Sequence, residues 1–147
     1  MALSFGVHSA TAPSNVAVSA TVQATCTNTA TALAFGVYSG VQSDSTAIVT
    51  VTCTNTTPYT VALNAGTAPT ATVTTRRMTG AVGVFLNYAL FSDAGRTTNW
   101  GSTVGSDTTA GTGTGAGQAL TIYGRVAAAQ FPAPGAYTDT IIATVTY

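Results

Sequence analysis

Residues 137–147, Tyr137-Thr-Asp-Thr-Ile-Ile-Ala-Thr-Val-Thr-Tyr147, set larger side chains against a file of threonines, and a second alternating run, Asn15-Val-Ala-Val-Ser-Ala-Thr-Val-Gln-Ala-Thr-Cys26, lies near the other end of the chain. A period of two is what a strand with one covered face requires, because successive side chains point to opposite sides of the backbone. In the second run Val16, Val18, Ala20, Val22 and Ala24 fall on one face. Two strand-like segments at opposite ends give a chain the means to join copies of itself, so the pattern points to a β-protein that associates.

The rest of the chain is punctuated in the same way. Strands are expected over 15–26, 31–38, 46–54, 58–64, 71–78, 84–91, 118–127 and 137–147, separated by Gly, Pro, Asn, Asp and Ser clusters. Short strands in this number indicate an antiparallel sandwich in one domain, and 147 residues suffice to bury a core. The Ala-rich tract before Pro132 and Pro134 is expected to be a loop, as is the glycine-rich stretch 111–117, which lacks the Lys-Ser/Thr of a phosphate cradle and leads into no helix.

Charged residues make up 5% of the chain, against roughly 25% in an average domain. They are Asp44, Asp93, Asp107 and Asp139 with Arg76, Arg77, Arg96 and Arg125, and the net charge is zero. The polar surface must come from Thr, Ser, Asn and Gln, of which β-branched Thr suits a pleated sheet. Zero charge supplies no basic footprint for nucleic acid and no polybasic patch for anionic lipid, and it favours association. No apolar run approaches the roughly 18 residues of a membrane-spanning helix. Met1-Ala-Leu-Ser-Phe-Gly6 lacks the basic and apolar regions of a secretion signal, so export would require a leader not present in this sequence.

Cys26 and Cys53 each end an alternating run and are each followed by Thr-Asn-Thr. Without neighbouring His or Cys to complete a metal site they read as one disulfide, which implies an oxidising compartment; the alternative is two buried thiols in a reducing one. No catalytic, metal or cofactor site is expected. His8 has no carboxylate near it in sequence, Asp93 before Ala94-Gly95 is a turn residue, and the aspartates lack the spacing of a calcium loop. Asp139 lies within the last strand and leaves open a pairing with an unidentified arginine. Trp100 and the tyrosines are expected to pack in the core or at an interface, the alternative being a sugar-binding platform.

A further regularity is an internal echo: Leu3-Ser-Phe-Gly-Val-His-Ser9 resembles Leu33-Ala-Phe-Gly-Val-Tyr-Ser39, and Val22-Gln-Ala-Thr-Cys26 resembles Val49-Thr-Val-Thr-Cys53. Either two segments of one sheet share a pattern, or the N-terminal segment mimics an internal strand because it fills a strand slot in another molecule.

Leu33-Ala-Phe-Gly-Val-Tyr38, Ile48-Val-Thr-Val-Thr-Cys53, the stretch from Leu86-Asn-Tyr-Ala-Leu-Phe91 to Trp100-Gly101, Leu120-Thr-Ile-Tyr-Gly-Arg-Val126 and the C-terminal strand from Gly135 together resemble the spore coat protein U domain, shared by archaic chaperone-usher pilins and some secreted coat proteins. The resemblance covers roughly residues 15–147 in order. It implies an all-β fold: an incomplete immunoglobulin-like antiparallel sandwich, held by a periplasmic chaperone and completed by a donor strand from a neighbouring subunit at an outer-membrane usher. On that basis residues 1–25 are an N-terminal extension whose donor strand spans about 15–24, and 26–147 form the pilin domain. The implied function is that of a structural subunit of an extracellular pilus, a head-to-tail homopolymer serving attachment and biofilm formation. The alternatives are a secreted spore-coat or matrix protein of the same domain and a sugar-binding adhesin domain. Residues 1–14, ahead of the donor, are a linker, a donor extension or the remnant of a precursor.

Overall fold

The computed structural model describes residues 1–147 except the side chain of Val82. Eight strands follow one another: β1 (Cys26–Ala30), β2 (Ser43–Cys53), β3 (Pro58–Leu63), β4 (Arg76–Thr79), β5 (Phe85–Phe91), β6 (Thr109–Thr112), β7 (Gly117–Val126) and β8 (Ala143–Thr146). They form a five-stranded sheet in the order β1-β2-β7-β5-β4 and a three-stranded sheet in the order β6-β3-β8, with every ladder antiparallel.

The period of two selects the faces. Ala47, Val49, Val51 and Cys53 of β2, Leu86, Tyr88 and Leu90 of β5, and Ile122 and Val126 of β7 turn inward against Tyr59, Val61 and Leu63 of β3. Trp100 lies between the sheets with 1% of its surface exposed, its indole N–H donating to the Val61 carbonyl at 2.9 Å. It is therefore a packing residue and no part of an exposed platform. On β2 and β7 Asp44 takes two 2.8 Å hydrogen bonds from Arg125, which hold its carboxyl below the ordinary range.

Arg76 is fully buried. Its guanidinium donates to the carbonyls of Asn64, Val73, Leu63 and Trp100 at 2.7–2.9 Å, so it ties the loop before β4 and the Trp100 strand end to β3. Burial pulls its pKa down, which Tyr88, Asp107 and Asp139 partly offset. The charge is solvated by carbonyl oxygens in place of water, the condition under which a buried ion is tolerated.

Four expectations about strands are corrected. Residues 15–25 form no ladder within the chain and are exposed throughout; strand pairing begins at Cys26. Residues 31–38 are not a strand, and Gly36 among them sits at φ 70°. The expected 71–78 strand shrinks to Arg76–Thr79, and 137–147 ladders only over Ala143–Thr146. In the other direction, Thr109–Thr112 is a strand although it enters the stretch read as a glycine-rich loop. Gly111 there has no room for a Cβ beside the Tyr59 ring, so the glycine serves close packing.

Candidate strand-acceptor groove

The two expected strands without full ladders face each other. After Ala30 the chain makes one more backbone–backbone bond to β2, from the Thr31 N–H to the Ile48 carbonyl, while the Ile48 N–H donates to the Thr31 hydroxyl, and there the ladder ends. Among the described residues, 32–38 make no backbone–backbone hydrogen bond; the hydroxyls of Ser43 and Ser45 donate to the carbonyls of Phe35 and Ala34 instead. On the other side, Thr138 pairs with Thr79, and 139–141 form no backbone–backbone bond before the chain joins β3. Inward and outward residues nevertheless keep alternating: Tyr137, Asp139, Ile141, Ala143 and Val145 are half-buried, while Thr138, Thr140, Ile142, Thr144 and Thr146 are exposed.

Between these stretches runs an apolar groove. Its inner part, about 360 Å³, reaches the core, with Val49, Leu63, Leu90 and Ile122 on its floor and Leu33 and Ile141 on its walls. An outer part of about 790 Å³ continues between residues 33–40 and 130–137. The Asn64 N–H donates to the Ile142 carbonyl, so by the alternation of an antiparallel ladder Ala143 and Val145 aim their backbone groups away from β3, along the open edge. The Asn28 side chain takes up the Ala143 carbonyl at 3.0 Å. A sheet edge beside an uncovered apolar trough is a template for a further strand.

One charged side chain lines the groove. Asp139 accepts from the Tyr88 hydroxyl at 2.6 Å, from the Thr67 N–H and hydroxyl at 2.8 and 2.9 Å and from the Thr140 N–H at 2.8 Å; no arginine bonds it among the described residues. Burial pushes its pKa up, but these hydrogen bonds outweigh burial and hold the carboxyl below its ordinary range. Burial raises the pKa of the Tyr88 hydroxyl as well, and there the bond to Asp139 adds to the rise. The carboxylate thus clasps the 64–67 loop to the groove wall as an ionised, satisfied group. Sequence reasoning missed this clasp because its three elements are far apart along the chain.

Cys26 and Cys53 are joined in a disulfide, which anchors β1 to β2 at the start of the groove wall. Val16, Val18 and Val22 are 82%, 90% and 86% exposed, and Ala20 and Ala24 are exposed with them. None of the five fills the chain's own groove. His8 is exposed, bonding only the Gly6 carbonyl among the described residues. The same residues bring together no cluster of His, Cys, Asp or Glu suited to a metal, and no helix is long and apolar enough to cross a membrane.

Residues 12–144 match the family model of the Spore Coat Protein U domain. Protein U of Myxococcus xanthus is 34% identical over 113 residues, which is 74% of this chain and 63% of that protein, so the chain spans under two thirds of its relative's length. Among solved structures, a chaperone–tip adhesion subunit pre-assembly complex from the archaic chaperone-usher Csu pili of Acinetobacter baumannii contains a chain of similar fold. The TM-score is 0.63 at 23% identity, over 86% of this chain and 41% of that one.

Proposed function

The chain belongs to the Spore Coat Protein U domain family, and we propose that it is a structural subunit of an extracellular fibre, polymerised by donor-strand exchange. One observation carries this reading: an apolar groove with unladdered backbone on both sides occurs in a chain that holds an alternating apolar segment, residues 15–24, wholly outside its own fold. Seated in the groove of a second copy, that segment would bury its valine face and pair its backbone with the open edge of 139–145. The contact is head-to-tail and does not close on itself, so it propagates as a filament. Residues 1–25 are then the donor extension and 26–147 the acceptor domain.

An unfilled groove is an aggregation hazard, and a free subunit needs it covered until assembly. A periplasmic chaperone would do so, with an outer-membrane usher exchanging chaperone for donor; the likeness to a subunit fold from a chaperone-usher pilus supports that route. The disulfide fits passage through an oxidising compartment. In this role the chain is a building block of a surface fibre serving attachment and biofilm formation, and not an enzyme.

Val18→Asp tests the reading. Burying an unpaired carboxylate in the acceptor costs far more than losing two methyl groups, while Val18 is exposed in its own subunit. Co-expressed with its chaperone, the variant is expected to accumulate as folded, chaperone-bound subunit and to yield no filaments by electron microscopy, where wild type forms them. Wild-type filament yield from the variant, or its failure to fold, would remove residues 15–24 as an intermolecular donor. A second reading, a secreted coat or matrix protein, is favoured by the 34% identity to Protein U. It predicts sheets or amorphous layers in the same micrographs.

A further inference from the structure

The groove is not uniform along its length. Leu33, Phe35, Met78 and Tyr137 line both its 360 Å³ and its 790 Å³ parts and so stand at the junction, or neck, between them. Two of these side chains are held in place. The Phe35 ring lies 6.1 Å from that of Tyr88 and rests on Gly124, where a Cβ would collide with it. The Tyr137 ring rests on Gly80 in the same way, and its hydroxyl donates to the Ala133 carbonyl at 2.6 Å. Rings fixed on both sides cannot swing away without surrendering those contacts, so the neck admits a small side chain more readily than a branched one.

Residues 15–24 carry the matching pattern. On the face Val16, Val18, Ala20, Val22, Ala24, Ala20 is the small residue with a valine on either side. Same-face side chains stand about 7 Å apart along a strand, so Ala20 at the neck sends Val18 into one part and Val22 into the other. We propose that Ala20 seats against Leu33, Phe35, Met78 and Tyr137 of the accepting copy and thereby fixes the register of the donor strand, an inference that rests on the strand exchange proposed above. A slip of one residue turns the valine face outward, and a slip of two drives a valine into the neck. Every ladder in the fold is antiparallel, and a donor continuing that sense beside 137–147 places Val22 and Ala24 toward 130–136 and Val16 and Val18 toward 141–143. The donor also leaves its own domain without slack: next to Ala24, the Thr25 N–H bonds the Thr54 hydroxyl at 3.2 Å and the Thr25 carbonyl accepts from the Thr54 N–H at 3.0 Å.

The test uses the full chain carrying Val18→Asp as acceptor, since it cannot donate its own strand, and synthetic peptides of residues 15–24 as probes, with binding read by fluorescence anisotropy and native mass spectrometry. The Ala20→Leu peptide is expected to bind about ten- to a hundredfold more weakly than the wild-type peptide. Ala17→Leu adds the same volume to the opposite face and should bind like wild type. Met78→Ala in the acceptor should recover most of the affinity lost by Ala20→Leu. Equal binding of the Ala20→Leu and wild-type peptides, or equal weakening by Ala17→Leu, overturns the neck and leaves strand exchange standing. No binding of the wild-type peptide, or undiminished binding of a Val18→Asp peptide, overturns both.

Discussion

Strand β2 and the segment 137–147 have the same kind of sequence and different surroundings. Both alternate, and both present a half-buried or buried face. β2 is laddered to β1 on one side and β7 on the other, and its Val49 and Val51 are fully buried. The segment 137–147 ladders on one side over Ala143–Thr146, and its Ile141 and Val145 are half-buried. Alternation reports that a chain has two unlike faces; it does not report whether a partner is present to pair with the backbone between them. Where partners exist on both sides, the sandwich is closed, and where they are missing, the same pattern leaves an open edge beside an apolar groove.

The widest gap between closed and open regions should appear in paired truncations. Trp100, buried between the sheets and outside the groove, should lose about 3–5 kcal/mol on Trp100→Ala, whereas Leu33→Ala at the groove wall should lose about 1 kcal/mol or less in the free subunit. Urea titrations with and without the 15–24 peptide check this: the Leu33→Ala deficit should grow when the groove is filled and the Trp100→Ala deficit should not. Similar losses at both sites in the free subunit would show that the groove is already closed.

A somewhat smaller contrast separates two adjacent arginines. Arg76→Met leaves the carbonyls of Leu63, Asn64, Val73 and Trp100 without their donor and is expected to destabilise by about 2–4 kcal/mol. Arg77, which stacks on Phe85 and bonds Thr70 at the surface, should change stability by about 0.5 kcal/mol or less on Arg77→Met. Thermal melts of the two variants decide it, and an equal shift would refute the assignment of Arg76 as the tie between loop and core.

The smallest effect is acid sensitivity at the groove wall. Asp139 has a depressed pKa in the fold, so its contribution is fully present above the unfolded-chain value of 3.8 and is lost as pH falls through the lower folded value. The part-exposed site limits it to about 1 kcal/mol or less. Asp44 and Asp93 are depressed as well, so the diagnostic quantity is the stability difference between wild type and Asp139→Asn, which should shrink as pH falls below about 4. A difference constant from pH 6 to pH 3 would mean that Asp139 clasps nothing through its charge.

Much of the sandwich was legible before folding. The segments 46–54, 58–64, 84–91 and 118–127 became strands within a few residues because each carries its own period of two and its own punctuation, both local properties. The glycine-rich stretch misled because a run of glycines resembles a linker, whereas Thr109–Thr112 is admitted to the sheet by the absence of a side chain against Tyr59. The clasp of Asp139 with Tyr88 and Thr67 and the carbonyl cage of Arg76 join residues that no spacing rule connects.

By itself, then, the sequence determined the all-β class, the inward faces of most strands, the pairing of two cysteines that each end an alternating run and the presence of an apolar alternating segment over residues 15–24. Those features depend on the order of side chains along a backbone whose faces alternate strictly. Tertiary structure alone decided which alternating segments find partners, that the two unpartnered stretches lie opposite each other across an apolar groove, and that the rings of Phe35 and Tyr137 are held where the two parts of that groove meet. Pairing and concavity are relations between distant segments, and they exist only after the chain has closed around its core.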